Sequence, residues 1–185
     1  MEWRMALKSS IFKADIQITD LDRHYYADHA LTIARHPSEN DERMMVRVLA
    51  FILYASETLQ LGKGLSTEDE PDIWQKNYSD EIELWIDLGQ PDEKRIRKAC
   101  GRAARVVIVN YQERSAAIWR EQNRKVLARF DSLEIISIPD TSVAALAAIA
   151  QRAMRLQCTI QDGTALITDG EQSLEITPER LKAAA

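Results

Sequence analysis

Apolar side chains recur every three or four positions between residues 39 and 58. The members of this repeat are Met45, Leu49, Ile52 and Leu53. Such spacing places them on one face of an α-helix, so the pattern predicts a helix over residues 39–58. Ser38 is followed three residues later by Asp41, which fits the capping-box pattern, and we expect Ser38 to cap this helix.

Other segments alternate between apolar and polar residues or are rich in β-branched residues, as β-strands are. Residues 7–18 and 24–34 predict two strands that can pair as a hairpin, and a short strand is expected near residues 59–65. Residues 71–77 (PDIWQKN) and 81–89 (EIELWIDLG) predict a second hairpin, because the latter segment alternates strictly.

Helices and strands alternate along the rest of the chain. The predicted order is a helix at 90–105, a strand at 106–111, a helix at 115–130, a strand at 133–138 and a helix at 141–154. We expect Thr141 or Ser142 to cap the last helix. Residues 156–177 predict two or three strands with Asp-Gly turns. These turns fall at 162–163 and 169–170. The pattern as a whole predicts an α/β (α+β) protein with a mixed central β-sheet flanked by helices.

Length and composition favour one domain over residues 1–185, because 45% hydrophobic and 29% charged residues are ordinary for a globular protein of 185 residues. No charge-free apolar run approaches the roughly 20 residues of a membrane helix, so we expect no membrane span. The N-terminus, MEWRMALKSS, has no apolar leader, and Cys100 and Cys158 form no CxxC motif. We therefore expect a cytoplasmic protein with two reduced thiols. Neither GxxxxGK[ST] nor GxGxxG occurs, which argues against a nucleotide-binding loop.

Charge is unevenly distributed along the chain. The formal net charge is −5, yet residues 94–129 hold eleven basic residues and only two acidic ones, Glu113 and Glu121. A local basic surface on an acidic protein can bind a phosphate backbone. The alternative is a solvated helix face whose countercharges lie elsewhere in the protein.

Two aspartates are expected to face each other across the second hairpin. A tight turn between its strands places Asp72 opposite Asp87 and Trp74 opposite Trp85. Like charges so placed repel, unless a divalent cation such as Mg²⁺ or Mn²⁺ lies between them. Glu42 shares the apolar face of the first predicted helix and adds a third acid. The alternatives are an acidic loop for Asp72, a turn for Asp87 and a helix-dipole interaction for Glu42.

Several stretches of the chain resemble one bacterial family. They are MALKSSIFKADI, ARHPSENDERMMVRVLAF, DEPDIW, LWIDLGQPDEKRIRKAC and TIQDG. Together they extend over nearly the whole chain from Met5 and resemble the YaeQ family, a variant of the PD-(D/E)XK nuclease-like fold. The resemblance implies a nuclease-like core over approximately residues 38–138, with an N-terminal hairpin at 7–34 and C-terminal strands at 154–177 as additions.

The nuclease pattern implies a role for each acid. By this resemblance Glu42, Asp72 and Asp87 are catalytic, and Asp72 and Asp87 are ligands of Mg²⁺ or Mn²⁺. The activity implied is hydrolysis of a phosphodiester by a metal-activated water.

The chain departs from this pattern at one position. The nuclease fold has a lysine two residues after the strand acid, but this sequence has Gly89 there. We expect Gln90 or Lys94 to take its place if the site is active. An inactive site that still binds its ligand is the alternative.

The basic residues after Asp87 suggest a partner. Six are candidates for contacts with nucleic acid: Arg95, Arg97, Lys98, Arg120, Arg124 and Lys125. Trp74 and Trp85 pack as a cross-strand pair or stack on a base. Two hypotheses follow: a Mg²⁺-dependent nuclease acting on DNA or RNA, or a catalytically inactive scaffold that binds nucleic acid or a protein in a regulatory role. Either is expected as a monomer or weak dimer.

Overall fold

A computed structural model of the chain describes residues 8–63, 65 and 67–185. Leu7, the first residue of the first predicted strand, lies outside these residues. Within them the chain forms eleven strands and five helices, so the mixed α+β class is confirmed.

Strands and helices alternate through the middle of the chain, between two strands at its start and four at its end. They are β1 (Ser10–Asp20), β2 (Tyr25–Arg35), α1 (Asp41–Tyr54), β3 (Leu59–Leu61), β4 (Ile73–Lys76), β5 (Ile82–Leu88), α2 (Glu93–Arg102), β6 (Ala103–Asn110), α3 (Glu113–Gln122), α4 (Arg124–Leu127), β7 (Leu133–Ser137), α5 (Asp140–Ala148), β8 (Ala153–Gln161), β9 (Thr164–Thr168), β10 (Ser173–Ile176) and β11 (Glu179–Lys182).

The strands form two mixed sheets. The central sheet has the order β11-β7-β6-β5-β4-β3, with β5, β6 and β7 parallel. The second sheet has the order β10-β9-β8-β1-β2. The N-terminal hairpin and the C-terminal strands, predicted as separate additions, join in this second sheet because β1 pairs in parallel with β8. Both of those strands alternate buried and exposed residues, as strands with one face on a core do.

Helix α1 forms the centre of the main hydrophobic core. All nine residues from Met44 to Ile52 are buried, so the helix is enclosed on every side. Its core cluster includes the inner faces of both sheets and part of α5. A second cluster, around Trp85 and Trp119, covers the other face of the central sheet with α2, α3 and α4. The layers are therefore sheet, helix, sheet and helix, and α1 supports the inner face of β5.

The predicted cap of α1 is wrong. The N-cap is Asn40, whose side-chain oxygen accepts a hydrogen bond from the backbone N–H of Arg43 at 2.9 Å. The hydroxyl of Ser38 instead pairs with a ring nitrogen of His36 at 2.6 Å. Asn40, two residues closer to the apolar run, satisfies the free N–H of the first turn, which Ser38 is too distant to reach.

All four predicted helices end earlier than their residue patterns suggest, and the first ends at Tyr54 rather than at residue 58. Helix α2 stops at Arg102 because β6 begins at the next residue, and the predicted helix 115–130 is interrupted at Asn123. Helix α5 has Pro139 at its N-cap position, rather than Thr141 or Ser142, and ends at Ala148. Residues after it form β8 and pair with β1, so tertiary pairing overrides the helical preference of this alanine-rich segment.

The two cysteines are free thiols, as predicted. Cys158 is buried in the second sheet, and burial raises its pKa to about 12. Burial also raises the pKa of the half-buried Cys100. Both thiols therefore remain protonated at neutral pH. No helix within the described ranges is long and apolar enough to span a membrane.

Gly62 allows a close backbone approach at the start of the functional region. Its N–H donates to the carbonyl oxygen of Asp72 at 2.8 Å, and a Cβ at this position would lie 2.0 Å from the carbonyl oxygen of Pro71. Gly62→Ala is therefore expected to lower the free energy of unfolding by about 1–3 kcal/mol, because the two segments must separate.

Urea denaturation measures this effect, and Gly101→Ala is its control. A Cβ at Gly101 meets nothing within 4 Å, and the residue lies in helix α2. That control is expected to be neutral or stabilising by up to about 1 kcal/mol. Equal unfolding free energies for the two variants would contradict the contact at Gly62.

Candidate functional site

Asp72 and Asp87 lie side by side where the second hairpin meets α1. Strands β4 and β5 pair antiparallel with Ile73 opposite Ile86 and Trp74 opposite Trp85, as predicted. One further step in this register places Asp72 beside Asp87. Each aspartate is only 3% exposed. They line a cleft of about 380 Å³, here called the central cleft, together with Arg43, Leu65, Thr67, Glu68, Leu88, Gln90, Pro91 and Arg95.

Asp72 is held by two donors of this chain. Its Oδ1 accepts a hydrogen bond from Nη2 of Arg43 at 2.7 Å, and its Oδ2 accepts one from the backbone N–H of Leu88 at 2.9 Å. Because Arg43 comes from α1 and Leu88 ends β5, the carboxylate links the helix to the end of the strand.

Asp87 is paired with a different arginine. Nε and Nη2 of Arg95 donate to Oδ2 and Oδ1 of Asp87 at 2.8 and 2.9 Å, a bidentate arrangement. Burial raises the pKa of Asp87; Arg95 opposes that rise, and the negative charge of Asp72 adds to it. The charge of Asp72 is thus close enough to influence the ionisation of Asp87.

A buried charge network extends from Asp72 into the core. Arg43 also donates to Glu39 at 2.6 Å, and Glu39 accepts a second hydrogen bond from Arg47 at 2.6 Å. Glu39 is 5% exposed and Arg47 is 4% exposed. Sequence reasoning missed Glu39, Arg43 and Arg47. Their spacing of four residues, which would put them on one side of the predicted helix 39–58, was the available signal.

The remaining predicted catalytic residues are dispersed. Gln90 lines the central cleft, and its amide donates to the carbonyl oxygen of Tyr111 at 2.7 Å. Glu42 lies in a separate cleft with Arg114, Ser115 and neighbouring residues, rather than beside the two aspartates. Lys94 is exposed on the first turn of α2 and is not among the residues that line the central cleft.

Both aspartates, the predicted ligands of Mg²⁺ or Mn²⁺, accept hydrogen bonds from donors of this chain. Among the described residues, no three acidic, histidine or cysteine side chains are grouped to hold a metal. Every carboxylate oxygen of Asp72 and Asp87 already accepts a hydrogen bond, and two guanidinium groups balance their charge. Oxygen ligands of such an ion need a lone pair directed at it, and one lone pair of each of these oxygens is directed at an N–H group.

The predicted basic residues divide into paired and exposed ones. On α2, Arg97 pairs with Glu93 and Lys98 pairs with Asp69, both at 2.6 Å. Farther along, Arg120 donates to the side-chain oxygen of Asn110 at 3.1 Å. Arg124 lies 4.0 Å from Glu121 with both side chains about three-quarters exposed, and Lys125 is exposed beside it. Exposed basic charge is therefore available on α4, whereas that of α2 is largely engaged.

Comparisons with known proteins identify one family. The family model described as "YaeQ protein" matches residues 5–178. The uncharacterized YaeQ protein of Salmonella typhi is 49% identical over 172 residues, covering 93% of this chain and 95% of the relative. The uncharacterized YaeQ protein of Escherichia coli K12 is 47% identical over 172 residues and covers the same 93% of this chain and 95% of the relative.

Two solved structures are closely similar to the fold described above. The crystal structure of the YaeQ protein from Xanthomonas axonopodis pv. citri has a TM-score of 0.91 and 43% identity, covering 95% of this chain and 99% of that one. The YaeQ protein from Pseudomonas syringae has a TM-score of 0.90 and 34% identity, covering 95% and 97%.

Proposed function

The chain belongs to the YaeQ family, and from that premise we propose that it binds nucleic acid on a nuclease-like scaffold without hydrolysing it. In this proposal the PD-(D/E)XK-like core covers approximately residues 38–138. The observation that carries it is the pairing of Asp72 with Arg43 and of Asp87 with Arg95. Carboxylates already neutralised by guanidinium groups are poor ligands for the cation that this kind of hydrolysis requires.

The backbone at Gly89 supports an inactive site. Gly89 has a φ of 89°, a conformation that side-chain-bearing residues rarely adopt. A lysine here, where the nuclease pattern has its cation, would be strained. The carbonyl oxygen of Gly89 accepts a hydrogen bond from the Asn110 side chain at 2.7 Å, which holds this turn in place.

The exposed basic residues of α4 supply the affinity for nucleic acid in this proposal. Residues 94–129 have a large excess of basic over acidic side chains, and Arg124 and Lys125 are exposed within that segment. Contacts between such cations and phosphates release counterions, so binding should weaken as salt increases. The chain's net charge of −5 confines this attraction to the basic surface.

Fluorescence anisotropy with labelled single-stranded DNA, duplex DNA and RNA tests this function. The double variant Arg124→Glu/Lys125→Glu is expected to raise Kd by about tenfold or more at low salt, because two phosphate contacts are replaced by repulsion. The control Lys13→Glu/Arg155→Glu makes the same charge change on exposed residues of the second sheet and should have a small effect. Absence of binding, or equal losses in both variants, would contradict the proposed surface.

A metal-dependent nuclease is the second candidate. It is favoured by the proximity of two buried carboxylates, since Asp72 contributes to the raised pKa of Asp87. In this candidate Glu42, Asp72 and Asp87 act with Gln90 or Lys94 on DNA or RNA.

Cleavage of supercoiled plasmid and single-stranded DNA in Mg²⁺ or Mn²⁺ tests the second candidate. The comparison is with the double variant Asp72→Asn/Asp87→Asn, after circular dichroism has shown that it is folded. Cleavage by the wild type alone would favour the nuclease. An intact substrate over a range of metal and salt concentrations is the outcome expected from the paired aspartates.

A further inference from the structure

One side of α2 carries a row of cations above a buried aromatic ring. Arg95, Lys98 and Arg102 follow at intervals of three and four residues, so they lie on the same face of the helix. The guanidinium carbons of Arg95 and Arg102 lie 5.7 and 5.4 Å from the ring centroid of Trp85. Trp85 is fully buried and fixes the position of this row, here called the α2 cationic face.

The chain's own acidic segment, Glu68–Glu70, covers the α2 cationic face. Lys98 donates to a carboxylate oxygen of Asp69 at 2.6 Å and forms a side-chain ion pair with it. Four more hydrogen bonds from this face reach main-chain carbonyl oxygens. They are Arg95 to Glu68 at 3.1 Å and to Glu70 at 2.9 Å, Lys98 to Glu68 at 3.2 Å, and Arg102 to Asp69 at 2.8 Å.

These contacts have the form of contacts to a phosphodiester chain. The carbonyl oxygens of three consecutive residues meet the three cations of this face, and negative side chains accompany them, much as phosphate oxygens of a nucleic acid meet basic residues. They also lie at the surface: the Asp69 side chain is 83% exposed and that of Lys98 is 34% exposed. The exposed ion pair between Lys98 and Asp69 contributes little to stability, so its loss costs little when a polyanion displaces this segment.

The acidic segment also forms a wall of the central cleft. Glu68 lines that cleft, and Arg95 donates both to the segment and to Asp87. Removing the segment would therefore uncover the cleft while leaving the pair between Arg95 and Asp87 in place.

We propose that the α2 cationic face is a second contact site for a nucleic-acid phosphate backbone, and that Glu68–Glu70 occupies it in the free protein as an intramolecular competitor. This inference depends on the proposed nucleic-acid binding and adds its regulation. Binding requires the segment to leave. The apparent affinity is therefore the intrinsic affinity multiplied by the fraction of molecules in which the face is open. Anions that are short or that bind weakly therefore do not displace the acidic segment.

Reversing the charge of the ion-paired aspartate tests the competitor. Asp69→Lys is expected to lower the Kd for a labelled single-stranded oligonucleotide by about tenfold, because a lysine repels the face and exposes it. Glu175→Lys is the matched control: it makes the same charge change at an exposed residue of β10. Circular dichroism checks that both variants are folded.

The outcomes separate this inference from the proposed function. If the wild type binds and the two variants gain affinity equally, the inference that Glu68–Glu70 competes for the α2 cationic face is overturned, and the proposed nucleic-acid binding stands. If Asp69→Lys gains far more than Glu175→Lys, the competitor is supported even where wild-type binding is weak. If no protein binds, both fail. Hydrogen exchange gives an independent readout: amides of residues 67–70 should exchange faster when the oligonucleotide is added, and slower exchange would overturn the competitor.

Discussion

Replacing Glu39 with alanine is expected to lower the free energy of unfolding by about 3–5 kcal/mol. The Glu39 carboxylate accepts hydrogen bonds from both Arg43 and Arg47 at 2.6 Å. The side chains of these arginines are 13% and 5% exposed, so the alanine variant leaves two guanidinium groups in a poorly solvated environment without their partner. Urea denaturation followed by circular dichroism measures the change.

Glu42→Ala is the control for Glu39. Glu42 lies in the first turn of α1 and is partly exposed, so its removal should cost about 0.3–1 kcal/mol through the helix dipole alone. Glu39→Gln keeps the volume and removes the charge, and should fall between the two. If Glu39→Ala is no more destabilising than Glu42→Ala, the buried network does not contribute as described.

Asp72→Ala is expected to lower the free energy of unfolding by a similar amount, about 3–5 kcal/mol. The substitution removes the partner of Arg43 and leaves the buried backbone N–H of Leu88 without an acceptor. Asp72→Asn should be milder, because its amide oxygen can still accept from Leu88, although its NH₂ group then faces the Arg43 donor.

A double-variant cycle gives the sharper measurement at Asp72. Glu39 and Asp72 share Arg43, so the losses in Glu39→Gln and Asp72→Asn should be non-additive by about 0.5–3 kcal/mol. Asp69→Asn, at an exposed ion pair, serves as the control. Strict additivity between Glu39 and Asp72 would contradict a common arginine partner.

Strand alternation together with the placement of the turn predicted the register that creates the site. Strictly alternating residues on β5 and a tight turn put Trp74 opposite Trp85, and this pairing is confirmed. The arginine partners were not predictable in the same way. Arg43 and Arg95 reach the aspartates from two helices, and their contacts depend on how those helices pack against the hairpin, which no local pattern encodes.

Local patterns also did not predict how the strands of the second sheet pair. Alternation predicted most of its strands, but the pairing of β1 with β8 joins segments more than a hundred residues apart in the sequence. The alanine-rich segment after residue 141 favours a helix locally. It nevertheless ends at Ala148, because Met154, Leu156 and Cys158 alternate and bury one face of β8.

Binding of a labelled oligonucleotide in EDTA and in Mg²⁺, with recovery of the oligonucleotide afterwards, tests the claim that the protein binds nucleic acid without a metal ion and leaves it intact. If Arg43 and Arg95 neutralise Asp72 and Asp87, Kd should agree within about twofold in the two buffers, since Mg²⁺ then acts only by screening. The recovered oligonucleotide should be full length on a denaturing gel. Binding that requires Mg²⁺, or shortened products that disappear in Asp72→Asn/Asp87→Asn, would contradict the claim.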